Sequence, residues 1–94
     1  MKIFDLLSPG AENGVGLRDL SHIANLSERE IRAEIQRERL NGAPILSDNK
    51  NGYFLPGNET ELTYCIRSLR HRANEILRTA NAIEKAAVDN GYKY

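Results

Sequence analysis

The chain has little of what stabilises or equips many small proteins. Its 94 residues contain one cysteine, two histidines and no tryptophan. A lone cysteine excludes an intrachain disulfide, and with two histidines at no ligand spacing it argues against a zinc site, so we expect neither metal nor cofactor. No apolar run approaches the roughly 20 residues of a membrane helix, and the first residues are charged too early for a signal peptide. We therefore expect a cytoplasmic protein that does not contact a membrane.

Charge of neither sign predominates, because 13 basic residues balance 13 acidic ones. This neutrality counts against the simplest nucleic-acid binder, which relies on Lys and Arg to contact phosphates. The basic residues are nevertheless concentrated, and a neutral total can hide a basic face. Segment 66–79 carries Glu75 alone against Arg67, Arg70, Arg72 and Arg78. The chain has no Gly-rich phosphate loop and is barely long enough to form a catalytic cleft, so we expect no enzymatic activity.

Hydrophobic spacing and turn residues predict one order of elements: three helices, a two-stranded hairpin and a long helix. Apolar residues at 3–7 predict a short first helix, and the three- and four-residue spacing that begins at Leu17 predicts a second. A hairpin is predicted over 45–55, because Asn51 and Gly52 supply the positive φ angles that a tight turn needs.

The third helix is predicted from a cap. Ser27 lies three residues before Glu30, which is the spacing of a capping box and predicts a helix start at Ser27. The inward face should carry Ile31, Ile35 and Leu40, and the helix should stop at the Asn-Gly pair that follows.

The last helix is the longest predicted element and can be capped by Asn58 or Thr60. Its apolar residues alternate four- and three-residue steps, as in a coiled coil: Leu62, Ile66, Leu69, Ala73, Ile76, Ala80, Ile83 and Ala87. We expect the first half of this seam, Leu62, Ile66 and Leu69, to pack on the chain's own core. The second half, Ile76, Ala80 and Ile83, is then free for a partner, and a homodimer through this helix is expected.

This order of elements predicts a fold that is mainly α with a small β-hairpin (α+β): a winged helix-turn-helix followed by a long C-terminal helix. The winged helix-turn-helix should occupy residues 1–57, the long helix residues 58–90 and a tail residues 91–94. The hairpin, in the position directly after the second helix of the motif, is called the wing.

A helix-turn-helix reads duplex DNA by inserting its second helix into the major groove. The open side of that helix is predicted to carry Ser27, Glu28, Arg29, Arg32, Ala33 and Gln36. Arg can read guanine and Gln adenine, while Ser27 at the helix N-terminus can hold a phosphate. Lys50 and Asn51 at the tip of the wing are further predicted contacts to the DNA backbone or minor groove. Arg70 on the long helix is a further predicted contact to phosphate. The alternative for each of these Arg residues is an ordinary solvated helix face, because Glu and Arg alternate along it.

The same residues resemble a known family. Residues 26–32, then Gly42, 44–45 and 51–55, are similar to winged-helix domains of the biotin-repressor N-terminal type, and more closely to small winged-helix proteins of phages and prophages. These share an acidic-capped helix with an Arg-rich middle, here at 67–72, and the resemblance covers residues 3 to about 83. It implies a winged-helix fold and binding to double-stranded DNA in transcriptional or replication control. Ligase activity does not carry over, because the catalytic domain of the biotin repressor has no counterpart in this sequence.

A second hypothesis comes from a different class of function. Some winged helices bind proteins, and a neutral net charge permits this. The chain would then be a protein-interaction adaptor whose working surface is the heptad-patterned helix, without binding DNA.

Overall fold

The computed structural model describes residues 2–93, so Met1 and the Tyr94 end of the predicted tail lie outside it. Two single turns of 3-10 helix, Ile3–Leu6 and Ala11–Asn13, precede three α-helices and a hairpin. The helices are α1 (Leu17–Ala24), α2 (Glu28–Leu40) and α3 (Glu59–Asp89), and the strands are β1 (Leu46–Asp48) and β2 (Gly52–Phe54). The predicted fold class is confirmed: the chain is mainly helical, with one small antiparallel sheet and a long C-terminal helix.

The wing is an antiparallel pair in which Leu46 lies opposite Phe54 and Asp48 opposite Gly52. A segment before α1 extends it, because Val15 and Tyr53 exchange two backbone hydrogen bonds of 2.8 Å. The wing follows α2 in the chain and is also hydrogen-bonded to the segment that precedes α1. This third pairing was not predicted, since the residues around Val15 have too short an apolar pattern to indicate a strand.

The main core lies between α1, α2 and the first 3-10 turn. It contains Ile3, Leu7, Leu20, Ile31, Ile35 and Ile45, all at most 8% exposed. Ser27 caps α2 as predicted, and Asn25, in the left-handed conformation at φ 55°, turns the chain between α1 and α2. The two helices are thus joined by a tight turn, as the helix-turn-helix prediction requires.

The inward face of α2 differs from the prediction at its end. Leu40 was expected in the core, but it is 78% exposed, and Glu38 is buried in its place at 6% exposure. Helical geometry explains the difference. Residues 31, 35 and 38 follow four- and three-residue steps along one stripe, whereas residue 40 is five positions beyond 35 and lies about 140° away from it.

Glu38 is buried because it holds the start of the chain. Its two carboxylate oxygens accept hydrogen bonds from the backbone N–H groups of Ile3, at 2.8 Å, and Phe4, at 2.9 Å. These are N–H groups of the first 3-10 turn, which have no partner within that turn. Glu61 in the first turn of α3 also accepts two backbone hydrogen bonds. Its carboxylate oxygens accept from the N–H groups of Gly57, at 2.8 Å, and Ala11, at 3.0 Å.

α3 packs on the wing through its first turns. Cys65 is 5% exposed and lies in a second cluster with Leu46 and Phe54, where Leu62 also packs. The prediction that Ile66 and Leu69 would be core residues is wrong, since they are 38% and 43% exposed. α3 contacts the wing through Leu62 and Cys65, which lie one turn apart. The seam residues after Leu62 therefore face away from the wing.

The rest of α3 projects from the domain. The helix has 31 residues, so it is about 46 Å long. The radius of gyration is 17.2 Å, whereas a compact chain of this length would have about 12 Å. None of the helices within residues 2–93 is long and apolar enough to cross a membrane.

Candidate nucleic-acid interface

α2 begins with a capping box. The Ser27 hydroxyl accepts a hydrogen bond from the backbone N–H of Glu30, and the Glu30 carboxylate accepts one from the backbone N–H of Ser27. This reciprocal pair satisfies two of the N–H groups that a helix start leaves without partners. The Ser27 hydroxyl is therefore already engaged within the protein, although the residue itself is exposed.

The remaining residues predicted on the open side lie where they were expected. Exposed residues of α2 include Glu28, Arg29, Arg32, Ala33 and Gln36. They lie on the side away from Ile31 and Ile35, which pack in the core. α3 packs on the wing and leaves this side of α2 accessible from solvent.

The four glutamates of α2 have different surroundings. Glu30 belongs to the capping box, and Glu38 is buried against the start of the chain. Glu34 forms an ion pair with Arg37 one turn later, and the Arg37 guanidinium holds the pKa of Glu34 below its ordinary value. Within residues 2–93, Glu28 is the α2 glutamate without such a partner.

The arginines of α2 divide in the same way. Arg37 pairs with Glu34, and Arg39 donates from Nε to the carbonyl oxygen of Ile45 at 2.7 Å and from a terminal nitrogen to the Ser47 hydroxyl. Arg39 thereby fixes β1 to the end of α2. Arg29 and Arg32 form no ion pair or side-chain hydrogen bond in the described part of the chain. The mixed-charge sequence of α2 thus leaves two free guanidinium groups on its open side.

The turn of the wing is held by Asp48. One oxygen of its carboxylate accepts from the backbone N–H groups of Lys50, at 2.9 Å, and Asn51, at 2.5 Å, and the other accepts from the Asn51 side-chain amide at 2.9 Å. These bonds, led by the one from the Asn51 side chain, lower the pKa of Asp48 below 3.8. Gly52 supplies a positive φ of 81°, but Asn51 does not, contrary to the prediction for the pair.

Two predicted wing contacts therefore differ in what they can offer. The Lys50 side chain is exposed at the tip and free to contact a ligand. The Asn51 side chain is half-buried, and its amide is committed to Asp48. Of the two, Lys50 is the better candidate for contacting DNA.

A groove beside the wing includes Arg72, which was named from the sequence only as one member of a basic cluster. Its lining includes the start of α1 at Gly16 and Leu17, the wing tip with Lys50 and Asp48, and Arg72 from α3. Arg70, predicted to contact phosphate, does not line this groove, and that contact stays a prediction. Residues two apart on a helix point about 160° away from each other, so Arg70 and Arg72 lie at opposite edges of the seam.

The residues predicted for dimerisation lie on the projecting half of α3. Ile76 and Ile83 are 66% and 65% exposed, and Ala80 between them is exposed as well. Leu77 and Val88, which were not predicted, are also exposed on this half, at 60% and 58%. The helix thus presents an apolar face that its own domain does not cover.

The chain matches no protein-family model, no curated protein and no solved structure. The functional argument therefore rests on the geometry of α2, the wing and α3.

Proposed function

We propose that the protein binds double-stranded DNA as a homodimer and serves as a regulator of transcription or phage replication, without being an enzyme. The observation that carries this proposal is the open side of α2, where Arg29, Arg32 and Gln36 are exposed beside a wing fixed to the same helix by Arg39. α2 enters the major groove, where Arg and Gln side chains can form paired hydrogen bonds to guanine and adenine.

Phosphate contacts then come from the groove beside the wing. Lys50 and Arg72 line it together with the start of α1, whose cap residue Gly16 has no side chain to satisfy the first N–H groups. Exposed N–H groups at a helix start favour a phosphate oxygen, and two cations beside them strengthen the attraction. The Asp48 carboxylate in the same groove is occupied by its three hydrogen bonds within the turn.

The test is binding at low salt to a duplex selected by the protein from a random-sequence pool, measured by mobility shift and fluorescence anisotropy. Arg32→Ala should weaken binding about 5- to 150-fold, because a base-reading Arg is worth about 1–3 kcal/mol. Lys50→Ala should weaken binding to all sequences and reduce the dependence on salt by about one released counterion.

Arg37→Ala is the matched control, because it removes the same charge from the same helix. Arg37 is paired with Glu34 and lines a different hollow, with Lys2 and Phe4 near the start of the chain. Binding by this variant should resemble that of the wild type. Absence of duplex binding at low salt would refute the proposal, and unchanged binding by both Arg32→Ala and Lys50→Ala would refute the residue assignment.

One observation favours a second candidate function, that of a protein-interaction adaptor. The large apolar residues of α3 from Ile76 to Val88 are exposed, and an exposed apolar face of this kind usually contacts another protein. A stable complex with a different protein, together with no affinity for DNA at low salt, would favour this candidate over the first.

A further inference from the structure

The projecting half of α3 carries a hollow with a recognisable arrangement. Ile76, Thr79, Ala80 and Ile83 line it, and Arg72 and Glu75 lie at its end. The first four follow the spacing i, i+3, i+4 and i+7, which is the set of four residues that receives one side chain of a facing helix in a coiled coil. Ala80 is the smallest of the residues that line this hollow.

The direction of the facing helix decides what enters the hollow. If a second copy lies parallel and in register, each core position faces itself, so the partner's Ala80 faces Ala80 and a methyl group leaves the hollow underfilled. If the second copy is antiparallel, the two kinds of core position face each other, and the partner's Ile76 enters the hollow over Ala80. By symmetry, Ile76 of the first copy fills the same hollow on the partner.

This antiparallel register also matches the rest of the seam. It sets Ala73 against the partner's Ile83 and Leu69 against the partner's Ala87, so that every layer combines one small and one large side chain. Layers of equal volume allow the two helices to keep a constant separation, which close packing requires. A parallel pair would alternate layers of two alanines with layers of two isoleucines or leucines.

The charges beside the seam are self-complementary in the same register. Leu77 meets the partner's Leu77 at the two-fold axis, and Arg70 meets the partner's Glu84, so two ion pairs form per dimer. Arg70 and Glu84 are exposed and form no ion pair within the described residues. In a parallel pair these two residues lie far apart along the axis and cannot meet.

Other antiparallel registers fit less well. A shift of one heptad towards the start of α3 sets Ile66 against the partner's Ile83, which is a layer of two large side chains, and Arg70 against the partner's Leu77 instead of Glu84. Its outermost layer would also need Leu62, which already packs in the cluster with Cys65. A shift of one heptad the other way sets Leu77 against the partner's Glu84 and shortens the overlap. The exposed length of α3 and its charges therefore agree on a single register.

We propose that α3 pairs antiparallel with α3 of a second copy, centred near residue 78. This inference rests on the homodimer of the proposed function but not on DNA binding. It places the two winged domains at opposite ends of the helix pair, with the two Cys65 positions about 39 Å apart along the axis. That spacing is close to one turn of duplex DNA, about 35 Å, which is the usual separation of paired half-sites.

The first experiment measures the dimer dissociation constant by analytical ultracentrifugation, without DNA. Arg70→Glu and Glu84→Arg should each weaken the dimer about tenfold, because each turns two attractive pairs into repulsive ones. The double variant Arg70→Glu with Glu84→Arg should restore the wild-type constant to within about threefold. Lys85→Glu, an equal charge reversal on the side of α3 opposite the seam, is the matched control and should leave the constant unchanged.

The second experiment measures direction. A spin label at Asp89→Cys, in a Cys65→Ala background whose fold is checked by circular dichroism, should give an intermolecular distance of about 33 Å or more in the antiparallel dimer. A parallel dimer would bring the two labels within about 20 Å of each other.

Each outcome decides the matter. A dimer with the long distance and rescue by the double reversal supports the proposal. A short distance, a dimer indifferent to both reversals, or a chain that stays monomeric or associates only with a different protein overturns it. Because no DNA is present, failure here leaves the contact of α2 and the wing with DNA standing, although a monomeric chain would remove the homodimer from the proposed function. Failure of the duplex assay leaves the antiparallel dimer standing.

Discussion

Replacing Glu38 should cost a large part of the stability of this small protein, although a charged residue near the end of a helix would ordinarily be replaceable. The Glu38 carboxylate is 6% exposed and accepts from the backbone N–H groups of Ile3 and Phe4 at 2.8 and 2.9 Å. Ile3 is itself 1% exposed and part of the main core. Loss of this carboxylate therefore releases the first turn of the chain from α2.

The size of the effect follows from the two bonds. A hydrogen bond to a charged group contributes about 1.5–3 kcal/mol, and a buried N–H left without a partner carries a further penalty. Glu38→Ala should therefore lower the free energy of unfolding by about 3 kcal/mol or more, out of the roughly 5–15 kcal/mol typical of a domain. Glu38→Gln should lower the free energy of unfolding less than Glu38→Ala, because the amide keeps one acceptor oxygen. The second backbone N–H would still lose its bond, since the NH₂ group that faces it is also a donor.

Urea denaturation followed by circular dichroism measures these changes. Glu28→Gln is the control, since it neutralises an exposed glutamate of the same helix that takes part in no hydrogen bond or ion pair within residues 2–93. It should change the free energy of unfolding far less. A loss below about 0.5 kcal/mol for Glu38→Ala would show that the carboxylate does not hold the start of the chain, and the reasoning would be wrong.

Two further predictions concern the wing. Gly52→Ala should lower the free energy of unfolding by about 2 kcal/mol or more in urea denaturation, because φ is +81° and a Cβ would lie 2.5 Å from the carbonyl oxygen of Val15. Gly91→Ala is the control and should cost less, because Gly91 has a similar φ of +82° but nothing within 4 Å of its Cβ position among the described residues. Equal losses for the two variants would contradict the close approach at Gly52. The stabilisation from Asp48 is present above its ordinary pKa of 3.8 and is lost as the pH falls through its lowered folded pKa. The difference in unfolding free energy between wild type and Asp48→Asn should therefore shrink as the pH is lowered from 5 to 2, whereas a constant difference would refute the role assigned to this carboxylate.

Local signals in the sequence were sufficient for the three α-helices, the hairpin and their order, although the predicted first helix is a single 3-10 turn. The Ser27–Glu30 spacing predicts the start of α2 because a capping box involves only residues three apart. Asn58, one of the two predicted caps, accepts from the backbone N–H of Glu61 and begins α3. The heptad spacing of α3 predicted an uncovered apolar face because helical periodicity is also local. The exposed positions of Arg29, Arg32 and Gln36 follow from the same periodicity.

Tertiary structure decided what each charged and apolar side chain contacts, because those contacts join residues far apart in the sequence. The sequence pattern alone indicates a solvated Glu38. Only folding brings the start of the chain, 35 positions away, to its carboxylate. Arg72 lies beside the wing because α3 packs through Leu62 and Cys65. For the same reason Ile66 and Leu69, which were predicted to be core residues, are exposed. Periodicity determines which residues share a face of a helix, whereas the packing of elements determines which face is covered.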